Sequence, residues 1–237
     1  NKFKPNPSLK KQTRKKININ DDDIVLLFVG RLNKDKGVFD LLDAFNSLSK
    51  KFENIKLLMV GSDEEKFFDY LIKNYPNLKE RVVIKNFTLQ TQKYYICSDI
   101  FIMPSYREGF GLASIEASSC GLPVIASNIY GLIDSVKDGI NGFLHEPGEK
   151  KKLESLVIKL IDNKNYITDL GSNGRKLAIE KYSQDKVIDF FCDYVVDIHN
   201  NLIKDNFFIC GTSSHSMHNF RGDLITDLKK NDLNIIG

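Results

Sequence analysis

The chain has 237 residues, 42% of them hydrophobic and 27% charged, the balance of a soluble globular chain with one large domain or two small ones. A net charge of +3 is too small to argue for a nucleic-acid partner, and no apolar run reaches the ~18 residues that a membrane-spanning helix needs. The four cysteines, Cys97, Cys120, Cys192 and Cys210, show no Cys-x-x-Cys spacing, so they read as reduced thiols of a cytosolic protein, with Cys97 and Cys120 in packed elements.

The opening residues, NKFKPNPSLKK, carry neither an initiator Met nor an apolar signal core and read as a cut. Residues 1–9 are expected to be extended, and the basic run KKQTRKK at 10–16 to start a helix with a solvated face, broken by Asp21, Asp22 and Asp23. IVLLFV at 24–29 is a continuous apolar run, as suits a strand buried on both faces, and IKLLMV at 55–60 reads as another buried strand; each is closed by a glycine. Helical spacing follows over 38–52, with Leu41, Leu42, Phe45 and Leu48 on one face, and over 63–74, which Pro76 ends. Further strands are expected at 82–84, 100–103, 123–126 and 142–145, and helices at 90–97, 112–120, 150–161, 166–180 and 183–200. Strand and helix alternate through 24–161, which predicts an α/β fold: a Rossmann-like parallel sheet with helices on both faces. Ligands of such sheets bind beyond the carboxyl ends of the strands, at the loops 30–37, 61–65, 86–90, 104–111 and 127–131.

The residues with chemistry to offer stand in those loops. Arg31 and Lys36 lie in GRLNKDKG just ahead of a helix start, where two cations make an anion site: Arg forks onto phosphate oxygens and Lys adds a point charge. Gly109, Phe110 and Gly111 lead into another helix, whose amides can approach a phosphate closely. Glu116 sits among small and apolar residues, where an ionised carboxylate is costly to bury without a partner, and it suits the hydroxyls of a ribose. Glu108 is placed to accept from hydroxyls of a sugar carried on the diphosphate. No GxGxxG follows the first strand and no GxxxxGK[ST] occurs, so these pieces describe a nucleotide-sugar pocket rather than a dinucleotide or P-loop site. His215 and His218 have the spacing of one helix face but no cluster beside them, and no metal site is assigned.

FVGRLNKDKGVFDLLDAF, DIFIMPSYREGFGLASIEASSCGLPVIAS and YGLIDSVKDGINGFLHEPG occur in that order, and the chain over about residues 1–200 resembles the C-terminal, donor-binding domain of a GT-B-fold enzyme of glycosyltransferase family 4, the glycosyl transferases group 1. The resemblance implies that Arg31 and Lys36 hold the diphosphate, that Glu108 touches the donor sugar and that Glu116 binds ribose. It further implies that Gly30 and the amides of Gly109, Phe110, Gly111 and Leu112 face the phosphates or sugar, and that the loop at Asn86 and Phe87 meets the base. Arg31, Lys36 and Glu108 are the catalytic set in this reading. Two departures are Gly61-Ser62-Asp63 in place of the family's VGxG turn, and Asn86 where a glycine is usual. The implied activity is retaining, metal-independent transfer of a hexosyl unit from a nucleoside-diphosphate sugar, UDP more than GDP, to a glycan or lipid-linked acceptor in surface polysaccharide synthesis. No cofactor or metal is expected. The acceptor would bind a missing N-terminal domain, leaving this chain inactive by itself, in the cytoplasm or at the inner face of the membrane. The alternative is a nucleotide-sugar-binding module without catalysis. Residues 1–205 then form the donor domain with a helical C-terminal section. Residues 206–237 resemble the opening strand, loop and helix of another such enzyme's N-terminal domain, with 218–222 lining that second cleft.

Overall fold

The apolar run Ile24–Val29 forms the first strand, β1, and its alternate side chains enter two different cores. The computed structural model describes residues 2–202 and, beyond them, two short strands. Five more strands join β1: β2 (Ile55–Val60), β3 (Val82–Lys85), β4 (Ile100–Met103), β5 (Val124–Ser127) and β6 (Gly142–His145), in the order β3-β2-β1-β4-β5-β6. Every neighbouring pair is parallel, with Leu26 opposite both Leu57 and Ile100. Leu26 and Phe28 pack on one face with Leu41, Phe45 and Leu48 of α2 (Val38–Lys51), Phe67 and Leu71 of α3 (Phe67–Asn74) and Leu153 and Val157 of α6 (Lys150–Asp162). Val25 and Leu27 pack on the other with Tyr95 and Cys97 of α4 (Gln92–Cys97) and Ala117 of α5 (Leu112–Ser119), and Leu9 of α1 (Pro7–Lys16) packs against that cluster. Each such aliphatic side chain taken out of water contributes about 1.5–3 kcal/mol, so two-sided burial is what commits these runs to a central sheet. The expected α/β sheet with helices on both faces is the architecture observed.

Three local expectations are corrected. Residues 1–9 are not extended throughout: Asn6 accepts the Leu9 amide at 3.0 Å and Pro7 occupies the first turn, so an Asn-Pro start draws the helix back to Pro7. The basic run is not simply a solvated face, because Arg14 is 2% exposed. Helix α3 begins at Phe67 and not at 63, because the Asp63 carboxylate caps it, accepting from the amides of Phe67 (2.7 Å) and Phe68 (3.1 Å).

The chain divides into two compact units, Asn1–Ile179 and Glu180–Gly237. The first contains the whole six-stranded sheet, and α7 (Lys164–Tyr182) runs out of it. The second contains α8 (Gln184–Leu202) and a parallel pairing of β7 (Phe207–Phe208) with β8 (Ile235–Ile236). The rest of the stretch 206–237 read as the start of another domain, including Cys210, His215 and 218–222, lies outside the described residues. Among the described residues, no helix is long and apolar enough to cross a membrane.

Candidate functional site

The strand order reverses between β1 and β4, so the loops leaving these neighbouring strands diverge and open a crevice at the carboxyl edge. The first loop is held by Asn33, whose Oδ1 accepts the Lys36 amide at 3.2 Å and shapes the turn Lys34–Lys36. Gly37 follows in the left-handed region at φ +67°, and a Cβ there would stand 2.0 Å from the carbonyl oxygen of Pro104. Only glycine allows the two loops to touch in this way. That contact sets Lys36 over the second loop. Its Nζ donates to Glu108 Oε1 at 2.6 Å and to the Arg107 carbonyl at 3.2 Å, while Ser105 Oγ donates to the same Glu108 oxygen at 3.0 Å. The pair is largely shielded, with side chains 16% and 12% exposed.

Beside the pair lies a cleft of about 420 Å³, bordered by Lys36, Glu108, Gly109, Tyr130 and Gly131. At Gly131 a Cβ would stand 2.0 Å from the Glu108 carbonyl oxygen, so packing within the protein explains that glycine. Gly109 is different: a Cβ there would meet nothing within 4 Å, and the space its missing side chain leaves is open. Gly111 caps α5 in the left-handed conformation and no side chain caps the helix start, which leaves its partial positive charge directed at the cleft edge.

Arg31, Glu116, Asn86 and Phe87 lie beyond the residues that border this cleft. Arg31 is exposed and pairs with Glu64 at 3.3 Å, and Glu64 also accepts from Asn33 Nδ2 at 2.8 Å. Among the described residues, no hydrogen bond or ion pair links Arg31 to Lys36 or Glu108. Glu116 is half-buried on the other face of the sheet, near Tyr95. Burial holds its carboxyl above the usual carboxylate range, an effect reduced by the Tyr95 hydroxyl and Lys2. The Tyr95 phenol is itself held well above its ordinary range, by burial first and then by the Glu116 charge, and its oxygen is within reach of Glu116 but outside strict hydrogen-bond geometry. Asn86 and Phe87, the latter 71% exposed, follow β3, which lies two strands from β1, about 10 Å away by strand spacing. Gly61, the first residue of the departure from VGxG, packs against the Gly30 carbonyl, and Asp63 of that turn is the cap of α3.

Sequence reasoning did not single out Glu64, Ser105, Tyr130, Ser127 or His145. The first four lie in or beside the edge loops, but nothing in the pattern marks which side chains point at the cleft. Ser127 ends β5 rather than opening the following loop and is opposite His145 in the register. Ser127 Oγ and His145 Nε2 are buried without a hydrogen-bond partner. His145 Nδ1 lies 2.8 Å from the Glu146 carbonyl, which can only accept, so Nδ1 carries the proton and Nε2 is a bare acceptor. Burial lowers this imidazole's pKa. The run Asp21-Asp22-Asp23 spells Asp-x-Asp, but it stands ahead of β1 at the opposite edge, where the Asp23 carboxylate accepts the Asn20 amide at 2.8 Å. Among the described residues, no three His, Cys, Asp or Glu side chains group as a metal ion would need.

Comparison with known proteins bears on the family and the fold. The family model described as "Glycosyl transferases group 1" matches residues 10–177. The capsular polysaccharide biosynthesis glycosyltransferase CapM of Staphylococcus aureus is 33% identical over 207 residues, which are 85% of this chain and 51% of that protein. Anabaena HepE, crystallised with UDP and glucose, superposes with a TM-score of 0.74 at 24% identity over 82% of this chain and 54% of that one, a likeness of fold. A variant of S. aureus TarM in complex with Fondaparinux, alpha-GlcNAc-glycerol and UDP superposes with a TM-score of 0.66 at 26% identity, over 74% of this chain and 36% of that one. The chain spans about half the length of the curated relatives it matches.

Proposed function

The chain belongs to the group 1 glycosyl transferases, and on that premise we propose that it is the donor-binding part of a retaining enzyme that moves a hexosyl unit from a UDP-sugar to a glycan or lipid-linked acceptor. The observation that carries this reading is the Lys36–Glu108 pair at the switch-point crevice, at 2.6 Å and beside the open space at Gly109. Lys36 gives two of its three N–H groups to Glu108 and Arg107, which leaves one for a ligand. A diphosphate laid against Lys36, Arg31 and the amides of Gly109 to Leu112 competes with Glu108 for the ammonium. The freed carboxylate then accepts from the sugar hydroxyls, so donor binding switches Glu108 from protein to substrate. As the glycosidic bond breaks, negative charge grows on the leaving diphosphate, and the two cations and the start of α5 stabilise it without a metal ion. Ribose lies toward Glu116, and the base toward Asn86 and Phe87.

UDP as the leaving group is supported by the TarM complex at 26% identity. CapM, a capsular polysaccharide enzyme by name, supports a role in surface polysaccharide synthesis. The exposed apolar side chains of Phe87, Leu89, Leu112 and Tyr130 at this edge support a second, acceptor-binding half closing over it, without which this chain binds donor but does not transfer. Buried thiols at Cys97 and Cys120 fit a reducing cytoplasm.

Calorimetric titration with UDP, GDP and ADP tests the reading. UDP binds, and Lys36→Ala weakens it by about 1.5–3 kcal/mol, roughly 10- to 150-fold. UDP binding that Lys36→Ala leaves unchanged refutes the proposal.

A further inference from the structure

A larger groove, of about 960 Å³, is lined by Lys34 and Asp35 of the turn whose Lys36 borders the donor cleft, and Tyr106 borders both. Its volume falls within the range of about 300–1,000 Å³ usual for ligand pockets. Three aromatic side chains line it: Phe39, Tyr70 and Tyr106. Phe39 and Tyr70 stand edge to face, with centroids 4.9 Å apart at 82°, and Tyr70 and Tyr106 are exposed. The Tyr106 hydroxyl is fixed by Asp40 Oδ2 at 2.6 Å, and its amide by the Asp35 carbonyl at 2.8 Å. Carboxylates ring the aromatics. Asp40 is already engaged by Tyr106 and Lys150, and Glu65 by the Lys34 amide at 3.3 Å. The Asp35 carboxylate has no hydrogen bond or ion pair among the described residues.

Ring faces carry partial negative charge and attract the C–H faces of a pyranose, while carboxylates accept only and so match hydroxyl and amide donors. Asp35, Asp40 and Glu65 outweigh Lys34 on the lining and disfavour an anionic ligand. We propose that this groove is a glycan subsite, holding a neutral stretch of the acceptor some sugars away from the reacting end, with Tyr106 as the partition between the two. The inference rests on the transferase reading but uses none of the residues proposed to bind the donor, and shares only the border residue Tyr106 with the donor cleft.

The test is a two-dimensional amide NMR titration of the ¹⁵N-labelled chain, first with UDP and then with chitohexaose or maltohexaose as neutral probes and a hyaluronan tetrasaccharide as the acidic one. The neutral probes shift the amides of Phe39 and Tyr70 with UDP already bound. Tyr70→Ala weakens that response at least tenfold and Glu65→Gln about threefold, while both variants keep UDP affinity within twofold. Failure of both neutral probes to shift these amides overturns the subsite, as does a hyaluronan response equal to theirs. Loss of the UDP response with the groove response intact overturns the donor reading and retains the subsite.

Discussion

Two ion pairs mark the two edges of the sheet, and they are built differently. At the amino edge, the Arg14 guanidinium donates to the carbonyls of Cys97, Asn20, Asp21 and Asp23 and to Asp99 Oδ2 at 2.7 Å. Lys10 takes the other Asp99 oxygen at 2.7 Å, and the Val25 amide donates to Asp99 Oδ2 at 2.8 Å. Arg14 ties α1, the approach to β1 and the start of β4 into one knot. At the carboxyl edge, Lys36 and Glu108 are just as close, at 2.6 Å, but a cleft runs along them and Lys36 keeps an N–H in reserve. A charge satisfied in every direction holds a fold together. A charge with one direction open to a cleft is available to a ligand.

Breaking the knot has the largest effect. Arg14→Met leaves four carbonyls without this donor and Asp99 with only Lys10 and the Val25 amide, and costs about 3–5 kcal/mol of stability, seen as a shift in the urea midpoint. The protein that remains folded keeps its UDP affinity. At the other edge the pattern inverts with Glu108→Gln. Lys36 is then freer, UDP binds as well or up to about threefold tighter, and the extra affinity that the sugar of UDP-glucose adds over UDP disappears; parallel titrations of the two ligands measure it.

Glu116 sharpens the contrast because, in the proposed reading, it serves binding at the expense of the fold. Its pKa is raised from the ordinary 4.5 by burial, so the folded chain holds its proton more tightly than the unfolded one. Stability is therefore greatest below the unfolded value and falls as pH rises through the raised folded value. Glu116→Gln removes that decline, raises the thermal midpoint at pH 7 and weakens UDP about tenfold, which melts recorded from pH 4 to 8 and one titration together establish. The smallest effect is a silent one. Burial pushes the Cys97 thiol up to about 11 and the Cys120 thiol up to about 12. Both resist iodoacetamide at pH 8 by more than about 100-fold relative to the urea-unfolded chain, as peptide mapping of the alkylated protein shows.

Much of this arrangement could be read in the chain beforehand. IVLLFV is apolar at every position and IKLLMV at all but Lys56, as suits short strands covered on both faces, and the alternation with helices then places Arg31, Lys36, Glu108 and Gly109 on one edge. What periodicity does not carry is which side chains meet. Lys36 and Glu108 are 72 residues apart, and Arg14 and Asp99 are 85 apart. KKQTRKK looks solvated by composition, because the pattern of charges does not show that one of them is turned inward onto the carbonyls of the nearby 20–23 turn and of distant Cys97. The same limit hid Ser127 and His145, whose orphaned atoms arise from a strand register.

The most direct measurement is the amide shift map of the ¹⁵N-labelled chain with UDP alone. The account predicts the strongest shifts at Gly30, Lys36, Gly109, Gly111 and Leu112, with Val25 and Asp99 at the other edge undisturbed. Shifts concentrated around Asp99 and α1, or their absence from the 109–112 segment, would contradict it.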